Sequence, residues 1–300
     1  MSKTVLVTGA NGFFGRLLVP ALASEFIVLS GVRADANPDT QTRVTGDLGT
    51  LPDLQAALAG VDCVVHCAAR AHVLREETDN PLPLFMGANH DATLHLARQA
   101  VQAGVKRFIF LSSIGVNGNQ TFGTPIRAGD TPAPHAPYAQ SKLAAEQGLA
   151  ELAAETELEV AIIRPPLIIG PQPVGNLRSL ANLIAKGLPL PFGRVTGNRR
   201  SLVSAEVLAD LIRVCVTHPN APGPALLVAD AQPMSTRDIL ERLAQLTGQR
   251  LRLIPVPVCL LRGALKALGR GAMAEQLFGD LEIDISDTTA RLGWVPPSTR

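Results

Sequence analysis

Thr4-Val5-Leu6-Val7-Thr8-Gly9-Ala10-Asn11-Gly12-Phe13-Phe14-Gly15 is the stretch on which the fold turns. Its first five residues are β-branched or aliphatic, the composition of a short strand buried on both faces. Three glycines follow at a spacing of three, and residues 13–23 continue with helical apolar periodicity. A strand that runs through Gly-x-x-Gly-x-x-Gly into a helix makes a seat for a dinucleotide pyrophosphate. Gly9 permits the tight turn, Gly12 lets the backbone approach the phosphates, and Gly15 lets the helix pack closely on the strand. The helix N-terminus adds free N–H groups and the positive end of its dipole.

Working outward, strands are expected at 25–32, 43–45, 61–66, Arg107–Leu111 and Glu159–Arg164. Helices are expected at 51–59, 89–103 and 138–154, the second closed by Gly104. Alternation through short links predicts right-handed βαβ units and therefore an α/β fold, a Rossmann-like doubly wound parallel sheet. Pro165, Pro166, Pro171 and Pro173 then break the alternation. This predicts a dinucleotide-binding domain over 1–164 and a smaller C-terminal substrate-binding domain over 165–300, with the chain free to cross back to the sheet.

Composition narrows the class. Hydrophobic residues make up 46% of 300 but aromatics only 4%, so the core must be aliphatic. Lys+Arg 27 against Asp+Glu 26, without charge blocks, recommends no nucleic-acid or membrane-surface partner, and no membrane insertion is expected. The apolar stretch 251–268 is cut by Arg252, Pro255, Pro257, Arg262 and Lys266 and cannot span a bilayer. Cys63, Cys67, Cys215 and Cys259 lack metal-ligand spacing, and no metal site is expected. They read as thiols of a reducing compartment, and with no signal sequence in view the expectation is a soluble, cytoplasmic protein.

The second strand ends Leu29-Ser30-Gly31-Val32-Arg33, without the acid that usually holds the adenosine ribose. Arg33 is placed to meet a 2′-phosphate, which points to NADP; the alternative is a solvated loop arginine. Asp35 keeps NAD open.

Tyr138-Ala139-Gln140-Ser141-Lys142 sets a phenol and an ammonium four residues apart on one helix face. A phenol near its usual pKa of ~10 is a poor base at neutral pH. An adjacent ammonium favours the phenolate, so the pair makes an acid–base for a carbonyl or alcohol. Tyr138 is the only tyrosine in the chain, and it follows the strand ending Leu111-Ser112-Ser113 across a Gly/Pro-rich loop. In a parallel sheet that loop can bring the Ser113 hydroxyl beside the Tyr138 helix.

On these residues the chain resembles the extended short-chain dehydrogenase/reductase family, in its nucleotide-sugar epimerase, dehydratase and reductase branch. The resemblance covers nearly the whole chain. It implies that Gly9, Asn11, Gly12, Phe13, Phe14 and Gly15 hold the dinucleotide, with Asp47 and Leu48 against the adenine ring. It also places Cys67, Ala68 and Ala69, after His66, along the cofactor, and has Asn89 help to hold the active-site lysine and a water. By the same resemblance Ser113 bonds the reacting sugar oxygen, Tyr138 is the acid–base and Lys142 binds the nicotinamide ribose. Pro165, in Arg164-Pro165-Pro166, matches the family's run beside the nicotinamide. Asn176, Arg200 and Asp280 match its substrate side, Arg200 as the clamp on the nucleotide phosphates. His66, Ser112 and Asn117 read as structural, Asn117 as a turn former.

Within the branch the resemblance is to bacterial enzymes of O-antigen and capsule synthesis that act at C4 of UDP-linked N-acetylated sugars. The expectation is a 4-ketoreductase drawing on NADP, because Arg33 replaces the ribose acid. The alternatives are a 4-epimerase with tightly bound NAD and a reductase of a small ketone without a nucleotide. A homodimer through the helices 89–103 and 138–154 is implied by analogy only.

Overall fold

The computed structural model of the chain describes residues 2–34, 39–71 and 78–298; Asp35 lies outside them. β1 (Thr4–Thr8) passes through the glycine turn into α1 (Gly15–Leu22), followed by β2 (Ile27–Val32) and β3 (Thr42–Val44). A 3-10 turn (Leu48–Thr50), α2 (Gln55–Leu58) and β4 (Cys63–His66) come next. The run α3 (Leu82–Met86), a π turn (Gly87–Asp91) and α4 (Ala92–Gln102) leads to β5 (Arg107–Leu111), a 3-10 turn (Ile114–Val116), α5 (Pro137–Glu155) and β6 (Glu159–Arg164).

The main sheet is parallel throughout, in the order β3-β2-β1-β4-β5-β6 with a seventh strand beyond β6. The order reverses between β1 and β4. A crevice therefore opens beyond the carboxyl ends of these two strands, where an open α/β sheet binds its ligand. Alternate strand residues face two different cores. Val5, Val7, Val65 and Ile163 pack against Phe14, Leu18 and Leu22 of α1, whereas Leu6, Val64, Phe108 and Phe110 pack against α2, α4 and α5. Burial on both faces is why these strands read as continuous apolar runs.

Two helices differ from expectation. The helix expected at 51–59 is reduced to α2, because the Asp47 side chain accepts from Gly49 N and sets a 3-10 turn, and Pro52 lies between the two. The helix expected at 89–103 begins earlier, at α3, and passes through the π turn around the buried Asn89. Pro83 in its first turn marks a beginning, since a first-turn N–H has no intrahelical partner to lose.

After β6 come β7 (Leu167–Ile169), α6 (Gly175–Ala185), β8 (Leu202–Ser204), α7 (Ala205–Thr217) and β9 (Leu226–Leu227). They are followed by α8 (Thr236–Thr247), α9 (Val258–Ala267), α10 (Gly271–Phe278) and α11 (Ser286–Leu292). β7 and β8 form a separate parallel pair. The chain re-enters the main sheet, with β9 beside β6, and α7 buries Val207, Leu208, Leu211 and Ile212 in the same core as α1. What remains above the crevice is a cap of small clusters: α6 with α8, and α9 with α10. Among the described residues no helix is long and apolar enough to cross a membrane.

Candidate active site

The first wall of the crevice is the glycine turn. Gly9 has φ +70°, and a Cβ there would lie 2.8 Å from Ala68 N, so its bareness serves the approach of the β4 loop as well as the turn. Gly15 abuts Gly9 O and Ala10 in the same way. α1 opens without a side-chain cap, and its Arg16 and Leu17 N–H groups bond back to Gly12 O and Phe14 O, so a ligand would meet the N–H groups of the turn ahead of them. Phe14 packs its ring into the core beside Leu18, so only its backbone can face a ligand. The Phe13 ring lies against Gly170, at the entrance of the cap.

A groove of about 1030 Å³ runs from this turn along the ends of β2, β3 and β4. Its lining joins Gly9, Asn11 and Gly12 to Arg33, Asp47 and Leu48 at one end and to Cys67, Ala68 and Ala69 at the other. Residues singled out across sixty positions thus share one cavity, of the size and shape for a dinucleotide. Arg33 Nε stands 3.9 Å from Asp47 Oδ2, both side chains exposed. The carboxylate missing from the tip of β2 is therefore delivered to the same place by the loop after β3.

Behind the groove a buried chain of hydrogen bonds ties three elements. Thr93 donates its hydroxyl to Asn89 O at 2.7 Å, so His66 donates from Nε2 to Thr93 Oγ1 at 3.0 Å and accepts from Thr8 Oγ1 on Nδ1 at 2.6 Å. Burial, with the Lys142 charge nearby, holds His66 neutral, down to about 3. Asn89 is itself fully buried. It accepts from Arg70 N and donates to Arg70 O and to Ser141 Oγ, at 2.7, 3.1 and 3.0 Å. The π turn aims the Asn89 amide at Ser141, the neighbour of Lys142.

Lys142 Nζ donates to Leu111 O at 2.8 Å and lies 4.4 Å from the centre of the Phe110 ring and 5.9 Å from that of Tyr138. Burial pulls its ammonium down to about 8, against the opposing pull of Cys67 and Glu146. Burial also pushes the Tyr138 phenol up to about 12. In this protein desolvation outweighs the lysine's expected lowering of the phenol. The Tyr138 ring stands edge-on to Phe85 at 6.2 Å. Ser113 Oγ accepts from Gly115 N at 3.1 Å, which leaves its proton to donate into the crevice. Gly115 decides how closely this loop meets α5, since a Cβ there would lie 3.3 Å from Ser113 Oγ and 3.4 Å from Ala139 Cβ.

Beneath Ser113 lies a network that sequence reasoning missed. Arg164 donates to both oxygens of Glu146, at 3.0 and 3.2 Å from Nε, and to Asn117 Oδ1 at 2.9 Å. The Ser112 hydroxyl completes it on Glu146. Asn117 thus both closes the 3-10 turn, its N–H on Ile114 O, and is a buried partner of Arg164. The one legible signal was Glu146 itself, one turn beyond Lys142 on the same face of an Ala-rich helix. Pro165 follows Arg164 at the end of β6. Its carbonyl accepts from Ile114 N at 2.9 Å, tying β6 to the Ser113 loop.

The substrate candidates are only partly assembled. Arg200 and Asp280 meet at the foot of α10: Arg200 Nη1 donates to Gly279 O at 3.0 Å, and Asp280 Oδ1 accepts from Arg199 N at 2.7 Å. Burial lowers the Arg200 guanidinium's affinity for its proton, and Asp280 opposes that. Asn176 is exposed on the first turn of α6, and among the described residues no hydrogen bond joins it to either.

The family model of the NAD dependent epimerase/dehydratase family matches residues 5–229. The chain is 42% identical to a UDP-glucose 4-epimerase of Vibrio cholerae over 303 residues, covering 100% of this chain and 92% of that one. It is 27% identical to the N-acetyl-alpha-D-glucosaminyl-diphospho-ditrans,octacis-undecaprenol 4-epimerase of Escherichia coli O157:H7, over 88% of this chain and 78% of that one. Among solved structures, MoeE5 in complex with UDP-glucose and NAD shares the fold with a TM-score of 0.75 at 24% identity, covering 99% of this chain and 94% of that one.

Proposed function

The chain belongs to the NAD dependent epimerase/dehydratase family, and from that premise we propose that it is a 4-epimerase of a UDP-hexose that retains NAD. The observation that supports this reading is that Lys142 reaches Leu111 O at the end of β5, two residues before Ser113 in the chain, and lies 5.9 Å from the Tyr138 ring, while a separate groove of dinucleotide size lies along the ends of β2, β3 and β4. A bound nicotinamide would supply hydride uptake and return at C4. Tyr138 takes the proton of the 4-hydroxyl and gives it back, and Ser113 donates a hydrogen bond to the same oxygen. Lys142, held to Leu111 O, keeps positive charge beside the phenol. Arg200 meets the substrate diphosphate. The Escherichia coli relative's name specifies a sugar diphosphate on an undecaprenol carrier, so the same clamp suits either bearer of the diphosphate.

Retained NAD is favoured by Asp47, whose carboxylate reaches the ribose end of the groove and engages Arg33. The alternative is a 4-ketoreductase using NADP, which the exposure of Arg33 favours, since a 2′-phosphate could displace Asp47 from it. Purified protein should carry stoichiometric NAD and interconvert UDP-glucose and UDP-galactose without added cofactor. Arg33→Ala should leave both properties intact. Net consumption of NADPH with a UDP-4-keto sugar, and no interconversion, would overturn the epimerase in favour of the reductase.

A further inference from the structure

α9 is a helix with two apolar sides and only one partner. Val258, Leu261 and Leu265 pack inward on Phe192, Leu277 and Phe278. At 100° per residue Leu260, Ala264 and Ala267 form a second apolar side; Leu260 is 63% exposed, and Leu268, just past the helix end, 71%. Arg262 and Lys266 lie between these two sides, so the helix is amphipathic and not apolar all round. It has no buried residue. α10, packed on it, adds the exposed Met273.

The charge around this face is one-sided. From residue 242 to 274 the chain has six basic side chains and no Asp or Glu, although it carries 27 Lys+Arg and 26 Asp+Glu in all. Arg250, Arg252, Lys266 and Arg270 are exposed. Arg262 is engaged by Phe278 O at 3.0 Å and stands 4.0 Å from Glu275, on α10. Apposing two copies through this surface would set like charges against one another.

We propose that the α9–α10 face docks this enzyme on the surface of an anionic lipid bilayer. The leucines sink into the boundary between headgroups and acyl chains while Lys266 and Arg270 reach anionic headgroups, the arrangement of an interfacial amphipathic helix. Docking differs from spanning, for which no described helix is long enough. Its place in the fold gives it a consequence. α10 ends at Gly279, whose carbonyl holds Arg200, so the bilayer would adjoin the substrate end of the crevice. A sugar diphosphate borne on a lipid would then be presented to Arg200 from the membrane.

The test reads binding without substrate, so it stands or falls apart from the epimerase reading. The full chain is sedimented with vesicles of phosphatidylglycerol and phosphatidylcholine in equal parts, and with vesicles of phosphatidylcholine alone. Binding is expected to the anionic vesicles and to weaken with salt. The pair Leu260→Ser/Leu268→Ser and the pair Lys266→Glu/Arg270→Glu should each weaken it at least about tenfold. Neither pair should change thermal unfolding or cofactor retention. Wild type left in the supernatant, or equal binding to both vesicle types, overturns the proposal. So does a dimer in sedimentation velocity that the leucine pair dissolves without vesicle binding, which would make the face an interface between copies.

Discussion

Around the ends of β4 and β5, polar side chains close on one another. His66 has a partner on each nitrogen, Asn89 spends its whole amide, and Glu146 and Arg164 neutralise each other under Ser113. At the foot of α10 the polar groups lean on backbone instead, Arg200 on Gly279 O and Asp280 on Arg199 N, among the small clusters of the cap. Low dielectric explains the contrast. Polar groups buried between two large cores must satisfy one another, and once satisfied they hold a single geometry. Groups in a thinly packed cap can exchange partners when a ligand arrives. The first region is suited to positioning a proton and the second to admitting and releasing a substrate.

The comparison can be tested by its extremes. Tyr138→Phe removes only a hydroxyl from the closed region, so turnover should fall by ~10²–10⁴-fold. Thermal unfolding and NAD retention should hold; near-normal kcat would take the proton-transfer role away from this region. Glu146→Gln strips the buried partner of Arg164 and should cost about 3–5 kcal/mol in urea unfolding. The exposed pair Arg213–Glu25 supplies the contrast, with Glu25→Gln costing at most about 1 kcal/mol. Equal costs would mean that the network under Ser113 is no tighter than a surface contact.

In the cap, Arg200→Ala should weaken UDP binding by about 1.5–3 kcal/mol, the loss of one charged hydrogen bond. Isothermal titration would show it, with unfolding little changed. A variant that loses stability but still binds UDP would make Arg200 a strut of the cap. The last effect is one of pH. His66 is held at about 3 in the folded chain, against 6.5 ordinarily. Between these values the unfolded chain binds the extra proton, so this contribution to stability is intact above pH 6.5 and is lost as pH falls towards 3. By pH 5.5 the loss is about 1.4 kcal/mol. Urea midpoints measured from pH 7 to 5.5 should show it, and His66→Asn should flatten that slope.

How much of this was legible follows from how local each signal is. Gly9, Gly12 and Gly15 carry a backbone requirement of their own turn, and they announced the strand, the helix and the groove together. Arg107–Leu111 and Glu159–Arg164 were bounded correctly because strands buried on both faces tolerate no polar interior. The π turn at Asn89 was not legible, since its spacing is helical on either side and only the Arg70 and Ser141 partners select it. The part of Asn117 in holding Arg164 was not legible either, since only the folded chain brings that arginine to it.

By itself, then, the sequence determined the doubly wound sheet, the glycine turn of its groove and the Tyr138–Lys142 pair on one helix face, since each follows from periodicity or from residues on one turn or helix face. The tertiary structure alone decided that Asp47 would face Arg33, that Glu146 and Arg164 would lie beneath Ser113, and that Leu260 and Leu268 would face water. Those outcomes depend on which surfaces meet, and pairing across elements distant in the chain leaves no periodic trace in either partner.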